Sequence, residues 1–244
     1  PENEALFSGC GFYPIATVPE RVVLLENSPV RLKQYQQQLS ALKKPGARIG
    51  SIVLNANPFT LGHLYLIETA LQQCDWLHVF VVGEDRSQFS YADRLALVKA
   101  GTAHLSRLSI HEGSPYIISR ATFPCYFLKL DDIIFKCHME LDLTIFRRYI
   151  APPLGITHRF AGSEPYSVIT NYYNKQMQVW LDSPEIDAPP IQMVEIPRKQ
   201  FQGGFISATK VRGFLAEGDF AAIKHYVPEC TYRFLIHQYK KVIA

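Results

Sequence analysis

Apolar and polar positions along the chain change period several times, and each change predicts an element. Residues 49–54 form a short run rich in Ile and Val, the pattern of a strand covered on both faces. Leu64, Ile67, Leu71 and Cys74 then fall at helical spacing. A continuous apolar run at 77–82, interrupted only by His78, predicts a central parallel strand. Residues 91–105 read as a helix, 108–110 as a strand, and 131–149 as a long helix that Pro152-Pro153 should stop. A strand at 157–161, a helix at 166–181 and a strand at 191–196 follow, and three helices at 207–215, 220–226 and 231–242 close the chain. Strands alternating with helices in this way predict an α/β fold with an open parallel sheet and right-handed crossovers. No internal repeat and no low-complexity tract interrupts the pattern.

The first residues follow a different pattern. Gly11-Phe12-Tyr13-Pro14 and the run 22–25 read as two short strands, too little to be stable alone. Leu32, Tyr35, Leu39 and Leu42 predict a helical connector that ends at Lys43-Lys44-Pro45-Gly46. The expected organisation is therefore 1–46 as a remnant plus connector and 47–244 as the main domain. The chain begins with Pro1, which predicts a fragment or a processed product.

Composition narrows the class. The 244 residues suffice for a full core without a disulfide or metal staple. Lys plus Arg is 25 and Asp plus Glu 22, a net charge of +3, so the sequence offers no polybasic surface for nucleic acid. Charged residues are 19% and aromatics 12%, which predicts a face covered by a partner. The longest apolar run is far short of a membrane span, and no secretion signal is visible. Five scattered cysteines (Cys10, Cys74, Cys125, Cys137, Cys230) without a CxxC predict reduced thiols in a cytoplasm and no zinc site.

Ligands of open α/β sheets bind outside the carboxyl ends of the strands, so the loops there are where chemistry is sought. Neither GxGxxG nor GxxxxGK[ST] occurs. Instead Asn55-Ala56-Asn57-Pro58-Phe59-Thr60-Leu61-Gly62-His63 leads from the first strand of the main domain into its first helix. A helix start offers unpaired N–H groups and a positive dipole end to a phosphate. Gly62 would let a ligand approach the backbone, and His63 could donate to a phosphoryl oxygen. Near the other end, Gly203-Gly204 should give a loop freedom to close, and Ser207 should cap a helix that presents Thr209 and Arg212 on one side. The remaining histidines (His78, His104, His111, His138, His158, His225, His237) show no pairing at metal or triad spacing and read as structural.

Thr-x-Gly-His paired with Ile206-Ser207-Ala208-Thr209-Lys210-Val211-Arg212 resembles the nucleotidyltransferase superfamily, with its Rossmann-like, HxGH-type fold. Within it the sequence is similar to the citrate lyase ligase family over roughly 49 to the C-terminus. That narrower resemblance rests on 55–63, Cys74-Asp75-Trp76-Leu77-His78, Tyr116-Ile117-Ile118-Ser119-Arg120-Ala121-Thr122-Phe123-Pro124 and Thr157-His158-Arg159-Phe160-Ala161-Gly162-Ser163-Glu164-Pro165. Residues 1–46 resemble the end of that family's N-terminal acetyltransferase-like domain.

The resemblance implies an ATP-dependent ligase. It would activate acetate as acetyl-adenylate, release pyrophosphate, and acetylate the prosthetic-group thiol on the acyl-carrier subunit of citrate lyase, switching the lyase on. That thiol belongs to a dephospho-CoA-derived group. By the same resemblance, His63 and Thr60 act at the α-phosphate, and Asn55, Asn57, Phe59 and Gly62 line the nucleotide. Gly162, Ser163 and Glu164 border the adenine, while Ser207, Thr209 and Arg212 hold the outer phosphates. Mg²⁺ would come with ATP, held by phosphate oxygens and water and not by a protein cage. Arg120 is the candidate for the acetate carboxylate, with Arg86 and Arg94 near the loop after the second strand. Three other readings stay open: an acetate-dependent tRNA cytidine ligase, a plain nucleotidyltransferase making a coenzyme precursor, and an inactive carrier-binding module.

Overall fold

The apolar run at 49–54 does become a strand, and it takes the centre of the sheet. The computed structural model describes residues 2–83, 87–118, 132–165 and 167–239. The elements in chain order are α1 (Glu4–Gly9), β1 (Tyr13–Val18), β2 (Val22–Glu26), α2 (Arg31–Ser40), β3 (Ile49–Leu54), α3 (Leu61–Leu71), β4 (Trp76–Val81), α4 (Tyr91–Thr102) and β5 (Leu108–His111). Then come α5 (Asp132–Ile145), a π-helical turn (Phe146–Ile150), α6 (Ala151–Leu154), β6 (His158–Gly162), α7 (Val168–Trp180) and β7 (Gln192–Ile196). The chain closes with β8 (Gln200–Phe201), β9 (Gly204–Phe205), α8 (Ala208–Glu217), α9 (Phe220–Ile223) and α10 (Glu229–Tyr239).

The main sheet has five strands in the order β5-β4-β3-β6-β7. The order runs outward from β3 in one direction and resumes on its other side with β6, so the switch point lies between β3 and β6. Parallel pairing is explicit between β4 and β5, where Leu77 faces Leu108 and Phe80 faces His111. Burial explains the strand sequences: Ile49, Ile52, Leu77, Val79, Phe80 and Val81 are all nearly inaccessible, as expected for strands with both faces covered.

The chain divides into two compact units. One comprises Pro1–Ile49, Ser114–Arg159 and Glu164–Val194; the other comprises Gly50–Gly113, Phe160–Ser163 and Glu195–Ala244. In the first unit β1 and β2 form an antiparallel hairpin, tied down by Tyr149 Oη donating to Ile15 O (2.9 Å) and by Tyr116 Oη donating to Glu26 (2.6 Å). Met139, Leu143 and Ile145 of α5, with Tyr173 and Met177 of α7, belong to its buried interior. Arg147 is buried there and donates to the carbonyls of Trp180, Ser183, Ala188 and Pro189, which fixes the run into β7.

The second unit carries the carboxyl ends of β3, β4, β6 and β7, and with them the sequence's candidate site. A cluster of Phe89, Ile206, Val211, Leu215, Ile223, Tyr226, Val227 and Leu235 packs α8, α9 and α10 together.

Three details depart from the sequence expectation. Pro152 and Pro153 do not stop a helix; they occupy the first turn of α6, where a missing N–H costs nothing, and Gly155 at φ 73° ends it. Residues 4–9 form a short helix that no apolar periodicity announced. Gly203-Gly204 does not make a loose loop: Gln202 (φ 48°) and Gly203 (φ 74°) form the two-residue turn of the β8–β9 hairpin. No described helix is long and apolar enough to cross a membrane.

Candidate functional site

The site begins at the turn from β3 into α3. Thr60 is the N-cap of α3; its hydroxyl accepts from the His63 N–H (3.4 Å). The histidine answers in place of the usual Glu of a capping box: Thr60 N–H donates to His63 Nδ1 (3.0 Å). A backbone N–H can only donate, so Nδ1 carries the lone pair and the proton sits on Nε2. Thr60 Oγ1 lies 2.9 Å from the same Nδ1. Loss of solvation, and then the positive charge of Arg198, push the imidazole down to about 4. At neutral pH His63 is therefore an uncharged donor through Nε2–H, not a cation.

Behind the imidazole lies Phe59, ring to ring at 5.8 Å and 16°. Its exposure is 0%, and it supports His63 from beneath. Thr60 is 1% exposed and engaged with His63 through its N–H and its hydroxyl. A Cβ on Gly62 would stand 3.1 Å from Ile206 O, so the bare Cα lets the chain entering α8 come close to the first turn of α3.

That close approach brings the two sequence motifs together. Ser207 caps α8 by accepting from Lys210 N–H (3.2 Å), as its sequence position predicts. Arg212, on the next turn, donates to Asn57 O (2.6 Å) and to Thr209 Oγ1 (3.1 Å), and burial lowers its pKa. The starts of α3 and α8 thus stand side by side, both with first-turn N–H groups and positive dipole ends. Asn57 Oδ1 accepts from Phe89 N–H, and Asn55 pairs with Ser87 and Arg94. Arg94 itself is completely buried on backbone carbonyls, so it is structural.

Gly162 and Ser163 end β6 in the same unit. Open space lies where a Cβ on Gly162 would point. Ser163 accepts from Arg198 twice, through Oγ from the backbone N–H (3.2 Å) and through O from Nε (2.6 Å). Glu164 belongs to the first unit, where Oε1 accepts from Ser167 N–H and its carbonyl accepts from Asn171, both at the start of α7. Arg120 and Arg86 lie outside the described residues. Among the described residues no group of three or more His, Cys, Asp or Glu is placed to hold a metal ion.

Two features escaped sequence reasoning. Arg198 is one; its signal is an acid-free stretch, 197–216, that holds Arg198, Lys199, Lys210 and Arg212. The other is a histidine pair, buried His78 and His111 at 2.8 Å on neighbouring strands, whose separation in sequence hides it.

Two adjoining helix starts, a neutral histidine donor and a guanidinium, gathered at the switch point of a parallel sheet, suit a polyphosphate and define a nucleotidyltransferase-type α/β protein. The family model described as the citrate lyase ligase C-terminal domain matches residues 49–235, and the chain belongs to this family. The [Citrate [pro-3S]-lyase] ligase of Escherichia coli (strain K12) is 55% identical over 234 residues, covering 96% of this chain and 66% of that protein. Those of Klebsiella pneumoniae (50% identical, 97% and 69% covered) and Haemophilus influenzae (52%, 96% and 70%) are similar to it at the same level. The chain spans about two thirds of the length of these curated relatives. Among solved structures, a pantothenate synthetase from Thermus thermophilus shares 13% identity at a TM-score of 0.49, over 83% of this chain and 80% of that one, a likeness too remote to carry an argument. Neither the tRNA nor the coenzyme-precursor reading is favoured by these relatives.

Proposed function

We propose that this chain uses ATP to activate acetate and then acetylates the thiol on the acyl-carrier subunit of citrate lyase. The observation that carries the reading is the junction of the α3 and α8 starts around a neutral His63, in a chain of the citrate lyase ligase family.

In the first step a carboxylate oxygen of acetate attacks the α-phosphorus, the bond from that phosphorus to the bridging oxygen breaks, and pyrophosphate leaves with the electron pair. His63 Nε2–H donates to a non-bridging α-oxygen as its charge grows. Backbone N–H groups at the two helix starts, with Arg212, hold the outer phosphates, and Gly162 and Ser163 border the base. Positioning and charge do most of the work in such displacements. Mg²⁺ would ride on phosphate oxygens and water, neutralising charge without a protein cage. In the second step the thiolate attacks the acetyl carbon and AMP leaves. Arg120 is the proposed partner of the acetate carboxylate. Residues 47–244 are the proposed catalytic domain, 1–46 the end of an acetyltransferase-like one, and the cytoplasm the proposed compartment.

The test is exchange of labelled pyrophosphate into ATP. We expect exchange that depends on acetate, and a loss of at least about a hundredfold in His63→Ala. Equal exchange without any carboxylate would overturn the ligase reading, and a near-normal His63→Ala rate would remove the histidine's role.

A further inference from the structure

Among the described residues the first unit buries two arginines, and it treats them unequally. Arg147 ends on four carbonyls, those of Trp180, Ser183, Ala188 and Pro189. In the second unit Arg94 ends on carbonyls in the same manner. Arg159, near the start of β6, is only 4% exposed, yet its terminal nitrogen Nη1 is buried with no hydrogen-bond partner among the described residues. A guanidinium does not escape this cost by losing its proton, so a buried one is expected to be paired.

The surroundings of Arg159 define what could meet that nitrogen. The Phe146 ring lies against the guanidinium, 4.4 Å from its central carbon, and closes one face, so a ligand meets the edge. Phe146 opens the π-helical turn, a form that is rare and often found at functional sites. Burial lowers the basicity of the guanidinium, while Tyr173 and Asp142 act the other way. Asp142 commits its own oxygens to other groups: Oδ1 accepts from Ile118 N–H and Oδ2 from Tyr173 Oη, both at 2.8 Å. Its charge offsets that of Arg159 without a hydrogen bond to Nη1.

We propose that Arg159 Nη1 marks a buried site for a small carboxylate, one of whose oxygens accepts from that nitrogen. Two properties set the class. The edge of a planar guanidinium offers in-plane N–H groups that match a carboxylate. One guanidinium beside Asp142 cannot balance a polyanion in a buried place, which excludes phosphates. An exposure of 4% limits the ligand to a few heavy atoms. Acetate is the carboxylate of this size that the proposed function supplies. That choice rests on the proposed activation of acetate, whereas the site itself does not. A carboxylate accepts through two oxygens, so the assignment leaves Arg120 as it stands.

The experiment gives the full chain sodium acetate or sodium chloride at equal ionic strength. Wild type should bind isotope-labelled acetate, seen as broadening of its methyl resonance, and should melt higher as acetate rises, with no such gain in chloride. Arg159→Met should weaken acetate by about 10- to 100-fold, the range for a charged hydrogen bond, and keep ATP affinity within about twofold. Arg159→Lys, which keeps the charge and loses the planar edge, should fall between the two. Wild type that ignores acetate, or a folded Arg159→Met protein that binds it normally, overturns the site and leaves Nη1 to water. An equal response to chloride overturns the carboxylate assignment in favour of any small anion. If Arg159→Met fails to fold, Arg159→Lys decides alone: unchanged acetate affinity overturns the site. Acetate binding that depends on Arg159 in a chain without acetate-dependent pyrophosphate exchange would remove the proposed function and support the site. Acetate-dependent exchange that is indifferent to Arg159 would remove only the site.

Discussion

Thr60 and His63 hold each other through both of their backbone and side-chain groups, so one threonine sets both the start of a helix and the proton position of an imidazole. Removing the hydroxyl should therefore act on two levels. Thr60→Ala should cost about 1 kcal/mol of stability as a lost N-cap. It should also lower the exchange rate more than ATP affinity, because the ring loses a restraint while the phosphate-binding N–H groups stay. Thr60→Ser should restore both. A Thr60→Ala protein with normal turnover would show that the hydroxyl does not orient His63. At the same scale, Gly62 admits Ile206 and Phe59 backs the imidazole.

Among the elements, the ends of β3 and β4 and the run into α4 are joined by a single side chain. Arg94 donates from one terminal nitrogen to Asn55 O (2.8 Å), Asn55 Oδ1 (2.8 Å) and Val82 O (2.9 Å), and from Nε to Phe89 O (3.3 Å), with no exposure at all. Arg94→Met keeps the length of the stem and removes every donor. Buried carbonyls left without partners cost roughly 1–3 kcal/mol each, so denaturant unfolding should show a loss of at least about 3 kcal/mol. A loss under about 1 kcal/mol would mean water replaces the guanidinium. Because Asn55 opens the candidate motif, ATP binding should weaken in the same variant.

At the scale of the whole molecule, four histidines, His63, His111, His138 and His158, shift the same way. Burial pushes His63 and His111 down to about 4, and lowers His138 and His158 as well, with a contribution from Arg48 at His158. These imidazoles stay neutral in the folded chain but take a proton near 6.5 once unfolded. The unfolded state thus binds more protons, and stability rises with pH through that window. We expect a melting temperature that is level above about pH 7 and falls steadily as pH drops from about 6.5 towards 4. A flat profile between pH 7.5 and 5 would contradict these burials. Both units should share in the loss, since His63 and His111 belong to one and His138 and His158 to the other.

Periodicity sufficed to determine much of this protein. The five strands of the main sheet, the helices between them, and the caps at Thr60 and Ser207 are local facts, set by runs of buried side chains and by residues that bond within a turn. What tertiary structure decided is who meets whom. His78 with His111, Arg198 with Ser163 and Arg212 with Asn57 are separated by long stretches of chain, and no local spacing encodes such contacts. It also decided which motif residues are packed away: Phe59 and Thr60 are both buried against His63, because holding one imidazole in one tautomer needs supports packed behind it.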